Sequence, residues 1–172
     1  IHWAQRAGSK IASVIVAASP FLSDHFEQLT GGAKKVVMIP TGINPLMIAG
    51  VSHTHRLLYI GSVSLASGHR VDLLPEILAR VVLHQPAAQL VIAGSGDDTT
   101  QLRQKFTHFG LADKVQWRGR FTAAEIGPIL APTAILIDPV DSAIANRAKS
   151  SFRVALAAAA GLPVVTSDVG IR

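Results

Sequence analysis

Short apolar runs alternate with longer amphipathic stretches along most of the chain. Short runs bounded by Gly, Pro or polar residues are typical of strands that a sheet buries on both faces. The longer stretches repeat apolar residues at helical spacing, as Leu74, Leu78 and Val81 do. The predicted strands are residues 13–18, 36–39, 57–60, 89–93, 114–117, 134–137 and 163–166.

Capping residues mark where several of the predicted helices begin. Ser19 followed by Pro20 is typical of a helix start, and Thr122 with Glu125 three residues later forms a capping box. Strands that alternate with helices predict an α/β fold, a Rossmann-like parallel sheet flanked by helices. We expect the five strands from residue 57 onward to form one such sheet. The predicted helices are residues 21–29, 71–83, 97 or 98 to 109, 122–130 and 146–161.

Residues 44–55 show no sustained period and contain Pro45 and Gly50, which predicts a linker. Residues 1–43 and 56–172 are then expected to belong to two different packing units. The chain begins at Ile1 and stops at Arg172 just after a strand-like stretch, so we expect it to be a fragment.

Composition excludes several classes of protein. Apolar residues make up 49% of the chain and there are no cysteines, which rules out disorder, a disulfide scaffold and a thiol nucleophile. The longest apolar run, residues 154–165, contains Gly161 and Pro163 and is shorter than the ~20 residues of a membrane span.

The net charge of +5 favours an anionic partner. A nucleic acid is disfavoured because aromatic residues are only 5% and no dense Lys/Arg cluster is present. Peripheral membrane association is compatible with the charge, although no strong basic amphipathic helix indicates it. A phosphorylated small molecule is the third class of partner.

Loops that follow the strands carry the candidate chemistry, because ligands of such sheets bind outside the carboxyl ends of the strands. Gly94, Ser95 and Gly96 would permit close approach of a phosphate or ribose. The other interpretation is a tight turn with an acidic N-cap, since position 99, where the dinucleotide fingerprint has its third glycine, is Thr.

Cations at predicted helix starts form a second signal. Lys149 and Arg153 are four residues apart on the predicted last helix, with Lys149 in its first turn beside Ser150, and Arg70 stands at another helix start. A cation at a helix N-terminus costs about 0.3–1 kcal/mol, which a bound anion would reverse. We therefore expect Arg70, Lys149 and Ser150 to meet one diphosphate; a solvated basic face is the alternative.

Other catalytic and metal motifs find no match. The chain has no phosphate-binding P-loop, no G-x-S-x-G and no H-E-x-x-H segment. His53 and His55 could chelate a metal, but no third ligand is evident and a solvated pair is the favoured interpretation. We expect no metal site.

Six segments stand in an order that resembles one known family. They are Ala18-Ser19-Pro20; Ile39-Pro40-Thr41-Gly42-Ile43; Tyr59-Ile60-Gly61 followed by Val71-Asp72-Leu73-Leu74; Leu90-Val91-Ile92-Ala93-Gly94-Ser95-Gly96; Val115-Gln116-Trp117-Arg118-Gly119; and Ala159-Ala160-Gly161-Leu162-Pro163-Val164-Val165. This set resembles the donor-binding half of family 4 (group 1) glycosyltransferases, which have the two-domain GT-B fold.

The resemblance implies transfer of a sugar from a nucleotide-sugar to a carbohydrate or lipid-linked acceptor, as in polysaccharide biosynthesis. It implies retention of configuration, no metal and no cofactor, because the nucleotide-sugar is a substrate. Residues 1–43 would be the tail of the acceptor domain, 44–55 the hinge, and 56–172 the donor-binding domain, truncated at its end. We expect a cytoplasmic protein, with the inner face of the membrane as a further location.

The resemblance also implies which residues bind the donor. The diphosphate would meet Gly61 and Ser62, and the base would pair with the backbone of Trp117 and Arg118. No catalytic residue is assigned, because the family's other domain usually supplies a catalytic His. The full set of expected donor-binding residues is Gly61, Ser62, Arg70, Gly94, Gly96, Trp117, Arg118, Lys149, Ser150 and Arg153.

Three departures from the family pattern leave a second function open. Ser62 replaces the usual Arg, and His69 with Arg70 replaces a Lys-Gly pair. The family's two glutamates, eight residues apart, fall on Ala148 and Leu156. The alternative is therefore a non-catalytic nucleotide or nucleotide-sugar-binding module with a degenerate donor site.

Overall fold

The computed structural model describes residues 2–43 and 55–172. Its helices are α1 His2–Ile11, α2 Pro20–Thr30, α3 Leu74–His84, α4 Thr99–His108, α5 Ile126–Leu130, α6 Ile144–Ala148 and α7 Phe152–Ala159. Its strands are β1 Val14–Ala17, β2 Lys35–Met38, β3 Arg56–Ile60, β4 Gln89–Ala93, β5 Val115–Gly119, β6 Ile135–Asp138 and β7 Val164–Thr166. Short 3-10 turns precede α3 and α5.

The described chain divides into two compact units. The smaller contains Ile1–Gly42, Ser142–Phe152 and Asp168–Arg172, and the larger contains Ile43–Asp141 and Arg153–Ser167. The predicted linker lies outside the described residues except for His55. The expected division into domains at 44–55 stays a prediction.

In the smaller unit, β1 and β2 pair in parallel and form their own sheet. Helix α2 packs on both strands. Its N-terminus is capped by Ser19, whose Oγ accepts from the Leu22 amide and donates to the Ala148 carbonyl oxygen at 2.8 Å. The predicted start of this helix is therefore confirmed. Helix α1 has no counterpart among the predicted elements.

In the larger unit, five parallel strands form one sheet in the order β5-β4-β3-β6-β7. The α/β fold and the single parallel sheet are thus confirmed. Successive residues of a strand face opposite sides, so Tyr59 and Ile92 pack with α3 and α4 while Leu58 and Val91 pack with α5 and α7. Both faces of the sheet are buried, which explains the nearly continuous apolar strands.

Strands are added to the sheet on both sides of β3. From β3 the chain adds β4 and then β5 on one side, and it then crosses to place β6 and β7 on the other. The carboxyl ends of β3 and β6 therefore flank a topological switch point, the position where open α/β sheets bind ligands.

The predicted last helix, residues 146–161, is wrong in its first part. The structure has two helices, with α6 ending at Ala148, and Lys149 between them has extended backbone (φ −101°, ψ 153°). Ser150 forms a parallel bridge with Ile171 instead of continuing a helix. Serine competes for backbone hydrogen bonds outside helices, which favours a break at this point. Within the part of the chain that the structure describes, no helix is long and apolar enough to cross a membrane.

Candidate functional site

The loops that follow β3 and β6 are joined at the carboxyl edge of the five-stranded sheet. The Arg70 amide donates to the Pro139 carbonyl oxygen at 3.0 Å, and the Asp141 amide donates to the Gly68 carbonyl oxygen at 3.3 Å. Backbone hydrogen bonds thus join the two loops that flank the switch point to each other. Gly61 follows β3, and Asp138 is the last residue of β6.

Three loop glycines have the space beside their Cα atoms filled by protein. A Cβ on Gly94 would overlap the Gly61 carbonyl oxygen, and a Cβ on Gly96 would overlap the carbonyl oxygen of Val63. A Cβ on Gly61 would lie 2.5 Å from Nη1 of Arg153. Gly94 and Gly96 therefore allow the loop after β4 to pack on the loop after β3. The sequence interpretation did not include this structural role.

Arg153 lies beneath the Gly61 turn in a buried polar cluster. Its Nε donates to Oδ1 of Asp138 at 2.6 Å, and its Nη1 donates to the Ile60 carbonyl oxygen at 3.3 Å. Its Nη2 is 2.8 Å from Nδ1 of His69. Arg153 is only 8% exposed and Asp138 is fully buried. A guanidinium is thus held at the switch point by the chain itself, with its charge balanced by Asp138.

Tyr59 supports the same turn from within β3. Its ring lies 5.3 Å from the Arg153 guanidinium carbon, and its hydroxyl donates to the Ser62 carbonyl oxygen at 2.5 Å. Burial raises the pKa of Tyr59 to about 12, against the smaller opposing effect of Arg153. Tyr59 therefore stays a neutral donor that holds the backbone of the turn at physiological pH.

The expected cost of a cation at Arg70 is offset by a neighbour. The Arg70 guanidinium forms two bonds to Asp72, from Nε to Oδ1 at 2.9 Å and from Nη2 to Oδ2 at 2.8 Å. These bonds hold the pKa of the Asp72 carboxyl below its ordinary value. The inference that Arg70 needs a bound anion is therefore wrong in its premise, because an aspartate two residues away already balances the charge.

Lys149 and Ser150 also differ from the expectation. Lys149 follows the C-terminus of α6, so it is neither in a first helical turn nor on one helical face with Arg153. The Ser150 Oγ accepts from the Thr41 amide at 2.7 Å and donates to the Thr41 hydroxyl at 2.5 Å. Both residues belong to the smaller unit and Arg70 to the larger. Their joint contact with one diphosphate remains a prediction.

Trp117 and Arg118 lie on β5, an edge strand of the five-stranded sheet. The Trp117 ring packs edge-on against Phe106 and lies 4.2 Å from the guanidinium carbon of Arg103, while Arg118 is exposed. The side chain of Trp117 thus belongs to the fold, and the outer backbone groups of β5 have no neighbouring strand among the described residues.

The structure therefore gathers Gly61, Ser62 and Arg153 at one point and packs Gly94 and Gly96 behind them. Sequence reasoning missed Asp138 as a partner of this cluster. The signal was present, because an aspartate that ends the apolar run of β6 must be buried and needs a cation. Among residues 2–43 and 55–172 no group of three or more His, Asp or Glu side chains could hold a metal ion.

The two positions where the family pattern has glutamates are occupied by apolar residues. Leu156 is fully buried and belongs to the core cluster that includes Leu58 and Leu136. Ala148 ends α6, and its carbonyl oxygen accepts the Ser19 hydroxyl. Neither position supplies a carboxylate.

Comparison with solved structures shows the same fold in several glycosyltransferases. The chain superposes on the pneumococcal O-GlcNAc transferase GtfA, in complex with UDP and GlcNAc, with a TM-score of 0.75 and 17% identity. It matches Anabaena HepE, in complex with UDP and glucose, with a TM-score of 0.75 and 20% identity. It matches sucrose-phosphate synthase from Thermosynechococcus elongatus with a TM-score of 0.73 and 19% identity.

Coverage is nearly complete for this chain and partial for those proteins. The three matches cover 96%, 98% and 98% of this chain but 32%, 49% and 44% of the other chains, in the same order. The chain thus spans about a third to a half of their length. No curated protein sequence matches it significantly. The family model for glycosyl transferases group 1 matches residues 54–172, so the chain belongs to the group 1 glycosyl transferases.

Proposed function

We propose that this chain binds the nucleotide-sugar donor of a retaining, metal-independent glycosyltransferase, at the carboxyl edge of the five-stranded sheet. The observation that carries the proposal is the buried guanidinium of Arg153, which is 8% exposed and lies beneath Gly61 at the switch point. Asp138 balances its charge, but a guanidinium held at this position still presents N–H donors that suit the diphosphate of a donor. The acceptor in this proposal is a carbohydrate or a lipid-linked molecule.

The likeness to proteins crystallised with UDP and a sugar supports a donor of this class. Gly61 and Ser62 would contact the diphosphate, with Arg153 beneath them. The outer backbone groups of Trp117 and Arg118 on the edge strand would pair with the base, as an added strand pairs with an open edge. Gly94 and Gly96 would act indirectly, because their missing side chains let the Gly61 turn take its position.

A second candidate function is a non-catalytic nucleotide-binding module. The specific observation that favours it is Leu156, which is fully buried in the core where the family pattern has a glutamate. A module of this kind would bind a nucleoside diphosphate and its sugar but would not transfer the sugar. The protein would need no cofactor in either case, and we place it in the cytoplasm or at the inner face of the membrane.

The test is a thermal-shift screen of the full chain with UDP, GDP and ADP and with their sugars. Stabilisation by one nucleotide and its sugar supports a donor site, because a ligand that binds the folded state raises the melting temperature. Absence of any shift at millimolar ligand contradicts it. Sugar transfer from the stabilising donor, measured with the acceptor domain that the resemblance implies joined to this chain, separates the enzyme from the non-catalytic module.

Lys149→Ala probes the expected contact with the diphosphate. If Lys149 contacts it, the variant loses roughly tenfold in affinity, since one charge-assisted bond exceeds the 1.4 kcal/mol of a tenfold change. Lys10→Ala, an exposed lysine of α1, is the matched control. Equal affinities of Lys149→Ala and the wild type remove Lys149 from the site.

A further inference from the structure

The ion pair between Asp138 and Arg153 is almost completely buried. Asp138 is fully buried, Arg153 is 8% exposed, and Nε lies 2.6 Å from Oδ1. Removing two charges from water is expensive, and apolar residues of similar volume often replace such pairs without loss of stability. The pair also lies at the carboxyl ends of the two strands that flank the switch point.

The orientation of the guanidinium indicates what the pair does. Asp138 approaches Arg153 on the Nε side, from the end of β6. The two terminal nitrogens are turned to the end of β3 and the loop after it: Nη1 donates to the Ile60 carbonyl oxygen at 3.3 Å and lies 2.5 Å from the Cβ position of Gly61, and Nη2 lies 2.8 Å from Nδ1 of His69. A guanidinium can only donate, so His69 accepts this bond through Nδ1.

We propose that Asp138 is a positioning residue, which fixes Arg153 so that its terminal nitrogens meet the diphosphate at Gly61 and Ser62. The inference rests on the proposed function and names a residue that acts through Arg153 without contacting the ligand. An unheld arginine would lose rotamer freedom when the anion binds, and immobilising one long side chain costs up to roughly tenfold in affinity. Asp138 removes this cost before the ligand arrives.

The carboxylate has a second, opposing effect on the ligand. Its negative charge partly cancels the charge of Arg153 and lowers the attraction of any anion nearby. Two substitutions separate these effects. Asp138→Asn keeps an oxygen acceptor for Nε and removes the charge, whereas Asp138→Ala removes both the charge and the acceptor.

The experiment measures UDP binding to the full chain by titration calorimetry for the wild type, Asp138→Asn and Asp138→Ala. GDP or ADP replaces UDP if one of them binds the wild type more tightly. We expect Asp138→Asn to bind more tightly than the wild type and Asp138→Ala to bind roughly tenfold more weakly. Binding of the matching nucleoside, which has no phosphate, should be the same in all three proteins, because a general loss of structure would lower it too.

Several results would overturn the inference. If Asp138→Ala binds the diphosphate as well as Asp138→Asn does, orientation by the carboxylate has no effect. If Asp138→Ala does not fold, Asp138→Asn decides: tighter binding than the wild type supports positioning, because the acceptor is kept while the opposing charge is removed, and equal or weaker binding refutes it. A wild type that binds none of the three diphosphates contradicts the proposed function itself, which distinguishes that failure from an error about Asp138.

Discussion

The carbonyl oxygen of Gly61 occupies the space that a Cβ on Gly94 would need. The two glycines follow neighbouring strands, β3 and β4, and both have positive φ, 141° and 140°. The Gly61 amide also donates to the Ala93 carbonyl oxygen at 2.8 Å, so the turns are locked side by side. The turn after β4 therefore sets the position of the turn after β3.

Gly94→Ala should destabilise the protein by about 3 kcal/mol or more. Overlap with a rigid backbone oxygen costs about 1–3 kcal/mol, and a non-glycine residue in this region of φ adds about 1–3 kcal/mol. Gly110→Ala is the control, because Gly110 has φ 68° with nothing within 4 Å of its Cβ position. It should cost only about 1 kcal/mol in urea denaturation. Equal destabilisation by Gly94→Ala and Gly110→Ala would show that the Gly61 turn can move away from an added Cβ at little cost.

Arg153→Met should lower the free energy of unfolding by about 3–5 kcal/mol, because it leaves the Asp138 carboxylate buried without its cation. The double variant Asp138→Leu and Arg153→Met should return to within about 2 kcal/mol of the wild type. Denaturant titration of the wild type, the single variants and the double variant gives the coupling energy. Purely additive losses would mean that the pair does not interact as the geometry indicates.

The pair of Arg70 and Asp72 should contribute to stability only above acidic pH. Bonds from Arg70 hold the folded-state pKa of Asp72 below its ordinary value of 3.8, so the unfolded state binds the proton first as pH falls. The contribution is complete well above pH 3.8 and is lost as pH falls through the folded-state pKa. Because the pair is partly exposed, we expect this contribution to be small.

Asp72→Asn and Arg70→Gln should each reduce the loss of stability at acidic pH. The double variant should reduce it little further than either single change. The measurement is the melting temperature between pH 2 and pH 6. An unchanged pH dependence in Asp72→Asn would assign the acid sensitivity to other carboxylates.

Ser19→Ala should destabilise the smaller unit by about 1–2 kcal/mol. Ser19 is fully buried and its Oγ both caps α2 and donates to the Ala148 carbonyl oxygen. Ser23→Ala, within the same helix, should be neutral or slightly stabilising, because Ala is the better helix former. Hydrogen exchange of α2 amides would report the two effects locally.

The sequence by itself determined the strands, most of the helices and the family. Apolar periodicity predicted seven strands within one or two residues of their observed bounds. The ordered motifs indicated the group 1 glycosyl transferases, the family whose model matches the chain. Such patterns are local, because each is set by residues two to four positions apart on one face of a strand or helix. They were sufficient for the parallel sheet, since alternating strands and helices permit few topologies.

Only the tertiary structure decided what the site residues contact. Arg153 bonds to Asp138, fifteen residues away, and to the Ile60 carbonyl oxygen, 93 residues away. Helical spacing predicts Arg153 and Lys149 on one face, but α6 ends at Ala148 and Ser150 bonds to Thr41, 109 residues earlier. Contacts at such separations depend on how the elements pack together, and helical periodicity alone contains no information about them.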